Sequence, residues 1–198
     1  MPVQQIAPTR SNLMQTRQTL KMAREGHDIL EQKRDVLTAE LTRRAHDAVA
    51  KQKEVWAEIS QAYRALAEAR LSMGQERLEW TALAVNKSLD LDIQLYSVMG
   101  VVLPRISAHG HPPDMPYGPG DTTVALDEAV VRFRKILSEI PELVEMMTTV
   151  RHLAHELQKT QRRVNALEHI FIPKLTNTER YITMQLQERE REDFFRRK

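Results

Sequence analysis

The sequence predicts an all-α fold, a long antiparallel two-helix coiled coil with a short irregular or β-hairpin lobe in its middle. Three observations predict it. Apolar residues recur at alternating steps of three and four from Leu13 to Met73 and again from Leu143 to Ile182. Five of the nine prolines and four of the six glycines fall between Gly100 and Gly120, so the chain divides into helix, irregular middle and helix. Finally, 28% of the residues are charged and only 5% aromatic, which suits helices that each bury a narrow apolar stripe rather than a thick globular core. The predicted division is 1–80 for the N-terminal coiled-coil helix, 81–140 for the middle lobe, and 141–198 for the C-terminal coiled-coil helix.

The first helix should begin near Pro8-Thr9-Arg10-Ser11, where the hydroxyl of Thr9 or Ser11 can cap an unpaired first-turn amide. Its seam runs through Leu13, Thr16, Leu20, Ala23, His27, Leu30, Arg34, Leu37 and Leu41. It continues through Ala45, Ala48, Gln52, Val55, Ile59, Ala62, Leu66, Ala69 and Met73. A period of 3.5 held this long implies a left-handed supercoil against a partner helix. Polar seam residues such as His27, Arg34 and Gln52 cost stability but help to fix register. At 1.5 Å per residue, a helix of about 65 residues is on the order of 100 Å long.

In the middle, Val98–Leu103 is a short β-branched run stopped by Pro104, and Thr122–Leu126 is a second candidate strand. A short helix from about Asp127 to Ile140 should lead to Pro141. The C-terminal stripe is Leu143, Met147, Val150, Ala154, Leu157, Gln161, Val164, Leu167 or Glu168, Phe171, Leu175, Thr178 and Ile182. Pro173 should interrupt this helix, because proline removes one backbone hydrogen bond at a cost of roughly 3 kcal/mol. Acid-before-base pairs, Glu192–Arg196 and Asp193–Arg197, should support the last turns, and Arg196, Arg197 and Lys198 suit the negative end of the helix dipole.

Composition and motifs exclude most chemistry. Without cysteine there are no disulfides and no thiolate ligands or nucleophiles, as expected of a cytoplasmic protein. No apolar run approaches the ~20 residues that span a bilayer, and no direct membrane insertion is expected. A formal net charge of +2 shows no excess of the kind that coats nucleic acid. His152, His155 and Glu156 match neither HExxH nor HxxEH spacing, and His109 and His111 stand alone in a loop, so no metal is expected. There is no GxxxxGK loop and no G-x-S-x-G elbow, so no cofactor and no catalytic residue is expected. Residues 1–24 carry Arg10, Arg17, Lys21 and Arg24 and no acid, as a transit peptide would, but their apolar pattern continues in phase into the helix. In an antiparallel pair this segment would lie beside Arg196, Arg197 and Lys198 and make one end basic.

Several segments resemble one family. They are PTRSNL at Pro8–Leu13, Gly26-His27 with Leu30 and KRDVL at Lys33–Leu37, VMGVVLP at Val98–Pro104, and PYG at Pro116–Gly118. The most specific is Arg163–Glu168, RVNALE, followed by Ile172-Pro173 and the EREREDFFRRK tail from Glu188. In this order they resemble the D subunits of the V/A-type ATPases and ATP synthases, the central rotor shafts. The resemblance implies a non-catalytic part whose tip enters a hexamer of catalytic A and regulatory B subunits. Its other end would join a small F subunit and the membrane-rotor adaptor, peripheral to the membrane, coupling proton or sodium flow to ATP synthesis. It also implies that Arg10, Arg17, Lys21, Arg24, Arg196, Arg197 and Lys198 form the tip that runs against its partners. Periodicity and charge alone fit equally a cytoplasmic coiled-coil scaffold or adaptor unrelated to any ATPase. The ordered motifs discriminate between the two.

Overall fold

A computed structural model describes residues 7–83, 90–109, 117–118 and 122–197. Helix α1 spans Arg10–Met73, and a short α2 follows over Gln75–Leu83. Strands β1 (Asp90–Val98) and β2 (Val101–His109) form an antiparallel hairpin. Helix α3 covers Val124–Ala166, a π-helical turn Leu167–Phe171, and α4 Ile172–Arg196. The predicted class, two long helical arms around a small hairpin, is what the chain forms. Of the segments quoted above, Lys198, His111 and Pro116 lie outside the described residues.

Thr9 caps α1: its Oγ1 accepts the Asn12 amide at 3.2 Å, and Ser11 lies inside the first turn. None of the predicted α1 seam positions is exposed. Thr16, Leu20, Leu37, Ala48, Val55, Ala62, Ala69 and Met73 are buried, and Ala65 joins them. Gly74 ends the helix at φ 84°, a left-handed conformation that glycine adopts without a Cβ penalty.

The chain forms two compact units. One comprises Met1–Ala39 and His155–Lys198. There α1 runs antiparallel to the C-terminal arm: Arg10 meets Glu190, Arg17 meets Glu179, and Lys33 meets Glu156. Its interior consists of Thr16, Leu20, Leu37, Thr160, Val164, Thr178 and Ile182.

The other unit is Glu40–Ala154. Here Lys51 lies 3.1 Å from Glu139, Lys135 pairs with Glu58, and Arg132 donates to Gln61 at 2.9 Å. Ala69, Met73 and Leu126 pack together, with Leu78, Tyr117, Ala125 and Val130 against them. Tyr117 donates to Asp127 Oδ1 at 2.5 Å, and Tyr63 meets Phe133 edge to face at 5.5 Å. The hairpin turns at Met99-Gly100, with φ of 53° and 76°, the double positive φ of a two-residue type I′ loop.

Three expectations change. Thr122–Leu126 is not a strand: Val124 opens α3, and the Thr123 carbonyl accepts the Leu126 and Asp127 amides at 2.9 and 3.3 Å. Nor is Val98–Leu103 one strand stopped by Pro104: Met99-Gly100 is a turn, and β2 continues through Pro104 to His109. Residues 90–98 pair with it, while Leu126 and Ala129 share the buried face of a helix. Second, Pro141 does not end a short helix; α3 continues through it with the ring buried, so packing offsets one lost hydrogen bond.

Third, the C-terminal stripe is partly out of phase. Val164, Thr178 and Ile182 are buried as predicted, but Met147, Ala154, Glu168 and Phe171 are exposed, and Thr149, Leu153 and Thr160 are buried in addition. The π turn supplies part of the reason. The Ile172 amide bonds back to the Leu167 carbonyl, which inserts a residue and turns Ile172 rather than Phe171 inward. This wide turn sits directly before Pro173, which enters α4 in its first turn, where its missing N–H is tolerated.

Candidate functional site

The predicted cationic residues that are described all lie in the unit of Met1–Ala39 and His155–Lys198. Arg10 and Arg17 sit on α1 seven residues apart, on one side of the helix. Each reaches across to an acid of α4: Arg10 Nη2 to Glu190 Oε1 and Arg17 Nε to Glu179 Oε1, both at 2.8 Å. The Arg10 side chain remains 83% exposed and Arg17 57%, so each guanidinium is paired on one flank and open on the other. Arg189 adds a third tie, donating to the Pro8 carbonyl at 3.3 Å.

Lys21 lies 3.9 Å from Glu25, one turn away on its own helix. Arg17, Lys21 and Arg24 line a shallow cleft with Leu20, Glu25, Asp28 and Glu179. Arg196 closes α4, and Arg197 is its C-terminal cap. Both are exposed and lie six and seven residues beyond Glu190, the acid that Arg10 holds. The structure therefore groups Arg10 with the α4 acids and groups Arg17, Lys21 and Arg24 around one cleft. It leaves Arg196 and Arg197 further along α4.

The expected Glu192–Arg196 and Asp193–Arg197 pairs do not form among the described residues. Exposed pairs of this kind contribute about 0–1 kcal/mol, too little to fix two long side chains. Sequence reasoning missed Glu179 and Glu190 as partners of the arginines. It also missed Phe194 and Phe195, which meet edge to face with centroids 6.2 Å apart and are 63% and 73% exposed. An aromatic pair beside a charged C-terminus was the available signal.

This surface can hold anionic or polar partners through several weak, similar contacts. The clefts described on it are shallow and open. Elsewhere, two side-chain groups bring potential metal donors within 4.8 Å: His27, Asp28 and Glu31, and Glu54, Glu58 and Glu139. In both, a cation of the protein holds at least one of the acids. Arg34 holds Glu31, Lys135 holds Glu58, and Lys51 holds Glu139. His152 serves structure, its Nδ1 lying 2.9 Å from the Val102 carbonyl. No described helix is long and apolar enough to cross a membrane.

The comparisons with known proteins agree over nearly the whole chain. The family model for the ATP synthase D subunit matches residues 12–198. The V-type ATP synthase D subunit of Thermotoga neapolitana is 40% identical over 98% of this chain and 95% of its own length. The A-type ATP synthase D subunit of Methanobrevibacter smithii is 40% identical over 98% of this chain and 85% of its own. That of Methanopyrus kandleri is 38% identical over 99% of this chain and 85% of its own. With helical arms paired around a hairpin and matches of this extent, the chain belongs to the family of ATP synthase D subunits.

Proposed function

We propose that this chain is the non-catalytic central-stalk rotor subunit of a V/A-type ATP synthase or ATPase. It transmits torque between an ion-driven membrane rotor and a catalytic hexamer, coupling ATP synthesis or hydrolysis to proton or sodium transport. The single observation that carries this reading is the match to the D-subunit family over residues 12–198. The paired helices are what torque requires, since a supercoiled pair resists bending and twisting better than one helix.

The partners are catalytic A and regulatory B subunits around the tip, and a small F subunit with a membrane-rotor adaptor at the other end. The protein then works at the cytoplasmic membrane surface as a peripheral part of the complex. In functional terms, 1–80 and 141–198 are the coiled-coil arms and 81–140 is the middle lobe. The tip residues are Arg10, Arg17, Lys21, Arg24, Arg196, Arg197 and Lys198, whose long cationic side chains exchange partners at each step.

A pull-down of tagged chain from its native membrane extract, with ATPase assayed in the eluate, tests this. Recovery of A- and B-type subunits with hydrolysis is the expected result, and it should be lost when residues 1–24 and 188–198 are removed. Recovery of other proteins without nucleotide hydrolysis would replace the rotor with a scaffold.

A further inference from the structure

The two edges of the hairpin are treated differently. In an antiparallel pair, alternate residues exchange both backbone bonds with the partner, and the residues between them turn N–H and C=O outward. The phase is fixed by three observations on β2. The Ile106 amide donates to Glu145 Oε2 of α3 at 2.7 Å, the Val102 carbonyl receives the ring of His152 at 2.9 Å, and Pro104, midway between them, has no N–H at all. The even positions of β2 therefore face away from β1. That edge is closed by a helix, a carboxylate, an imidazole and a proline, all recognised ways of blocking an edge strand.

By the register, their partners Leu91, Ile93, Leu95 and Ser97 turn N–H and C=O outward from β1. Among the described residues no hydrogen bond uses these groups, and none of the four residues makes an ion pair or ring contact. Leu91, Ile93 and Leu95 also project from one face and are 55%, 59% and 70% exposed. β1 is thus a nine-residue edge without proline, lysine or bulge, apolar in phase with its open backbone groups.

We infer that β1 is a docking edge that accepts an extended segment of a neighbouring subunit as a third strand. This rests on the reading of the chain as one subunit of a larger complex. Unpaired, regularly spaced amides and carbonyls are matched by a strand, not by a helix or a membrane surface. The charge pattern sets the partner's chemistry. Asp90 and Asp92 are exposed on the opposite face, and β1 carries no basic residue. The incoming strand therefore alternates apolar side chains, beside Leu91, Ile93 and Leu95, with lysine or arginine beside the aspartates. A second copy of β1 fits poorly: antiparallel pairing about Gln94 would set Asp92 against Tyr96 and Asp90 against Val98, with no cation for either acid.

The test is residue-resolved hydrogen exchange on the free chain and on the complex purified through a tag on it. In the complex the amides of Leu91, Ile93, Leu95 and Ser97 should slow by about tenfold or more, as new backbone bonds require. Ile93→Pro removes one outward N–H, as Pro104 already does on β2, and should abolish the slowing at Leu91 and Leu95. The inward amides of Asp92, Gln94 and Tyr96 report whether the hairpin stays folded. Should it not, Asp92→Arg, which leaves the backbone intact, should weaken the protection alone.

Unchanged exchange at the four outward amides in an intact complex would overturn the strand site while leaving the subunit reading in place. Slowing that rises with concentration in the free chain would overturn it in favour of self-pairing. A chain that captures no ATPase subunits would instead sink the underlying reading, and the proposed partner with it.

Discussion

The two units pair helices in the same antiparallel sense but fill their seams differently. In the unit of Met1–Ala39 and His155–Lys198, a few large side chains, Leu20, Leu37, Val164 and Ile182, alternate with the buried threonines Thr16, Thr160 and Thr178. Thr16 and Thr178 satisfy their hydroxyls on their own helices, at Asn12 and Lys174 carbonyls 2.7 and 2.9 Å away, so they add no tie between helices. In the unit of Glu40–Ala154 the seam is alanine-rich, with Ala48, Ala62, Ala65, Ala69 and Ala129 buried. At Ala69, Met73 and Leu126 that core extends sideways to Tyr117. Small residues let backbones approach closely. The first unit therefore depends on each large residue it has, and the second on having no room to spare.

The largest expected effects fall on that contrast. Leu37 is 1% exposed, and Leu37→Asp places an uncompensated carboxylate among apolar groups. It should destabilise the first unit by at least about 3 kcal/mol. An unchanged melting curve would remove Leu37 from the seam. In the second unit the damaging change is added volume. Ala62 is fully buried, and Ala62→Leu should cost about 1–3 kcal/mol by overpacking. If denaturant unfolding showed Ala62→Leu to be neutral, the close-packed description of that seam would be wrong.

How legible these seams were depends on how long one period persists. α1 keeps a single rhythm over 64 residues, so its buried face could be read almost residue by residue. The C-terminal arm has no such constancy. Met147 and Phe171 are apolar but point outward, and the π turn at Leu167–Phe171 changes the phase in a way no hydrophobic pattern announces. β1 was missed although Leu91, Ile93 and Leu95 alternate with Asp92 and Gln94 as strand residues do, because the β-branched run Val98–Leu103 reads as the strand yet straddles the Met99-Gly100 turn. Thr122–Leu126 was misassigned because β-branched residues favour strands only weakly, and burial of Leu126 beside Ala69 and Met73 decides for helix. At the charged surface the arginines were visible as a run without acids. Their partners Glu179 and Glu190 were not, since pairing across helices requires register to within a turn.

A smaller effect tests the sideways extension of the second core. Burial first, and then the hydrogen bond to Asp127, raise the Tyr117 phenol from its ordinary value near 10 to about 12. The folded state therefore prefers the protonated form. The resulting stability is fully present below pH 10 and is lost as the pH rises from about 10 to about 12. Tyr117→Phe should cost about 1.5 kcal/mol at neutral pH, the worth of a hydrogen bond to a charged acceptor. The variant should also flatten the alkaline fall in stability and remove a component near pH 12 from the tyrosinate absorbance titration. A titration identical to that of the parent would mean that Tyr117 does not close the core in solution.

The smallest effect belongs to the charged surface of the first unit. Arg17 is 57% exposed and its partner Glu179 25%, so Arg17→Ala should lower stability by no more than about 1 kcal/mol. Its effect on function should be small for a separate reason. A bearing that turns must break each contact at every step, and a contact that held strongly would add a barrier to each rotation. On the proposed rotor reading, several exposed cations of similar reach, Arg10, Arg17, Lys21 and Arg24, would share that work, and deleting one would leave the others to take its place. ATP-coupled rotation by the assembled complex should therefore stay within about twofold of the parent rate, a difference under 1 kcal/mol in the barrier. If Arg17→Ala alone stopped rotation while the complex stayed assembled, Arg17 would be a specific latch. Its pair with Glu179 would then mark a contact made and broken once per step.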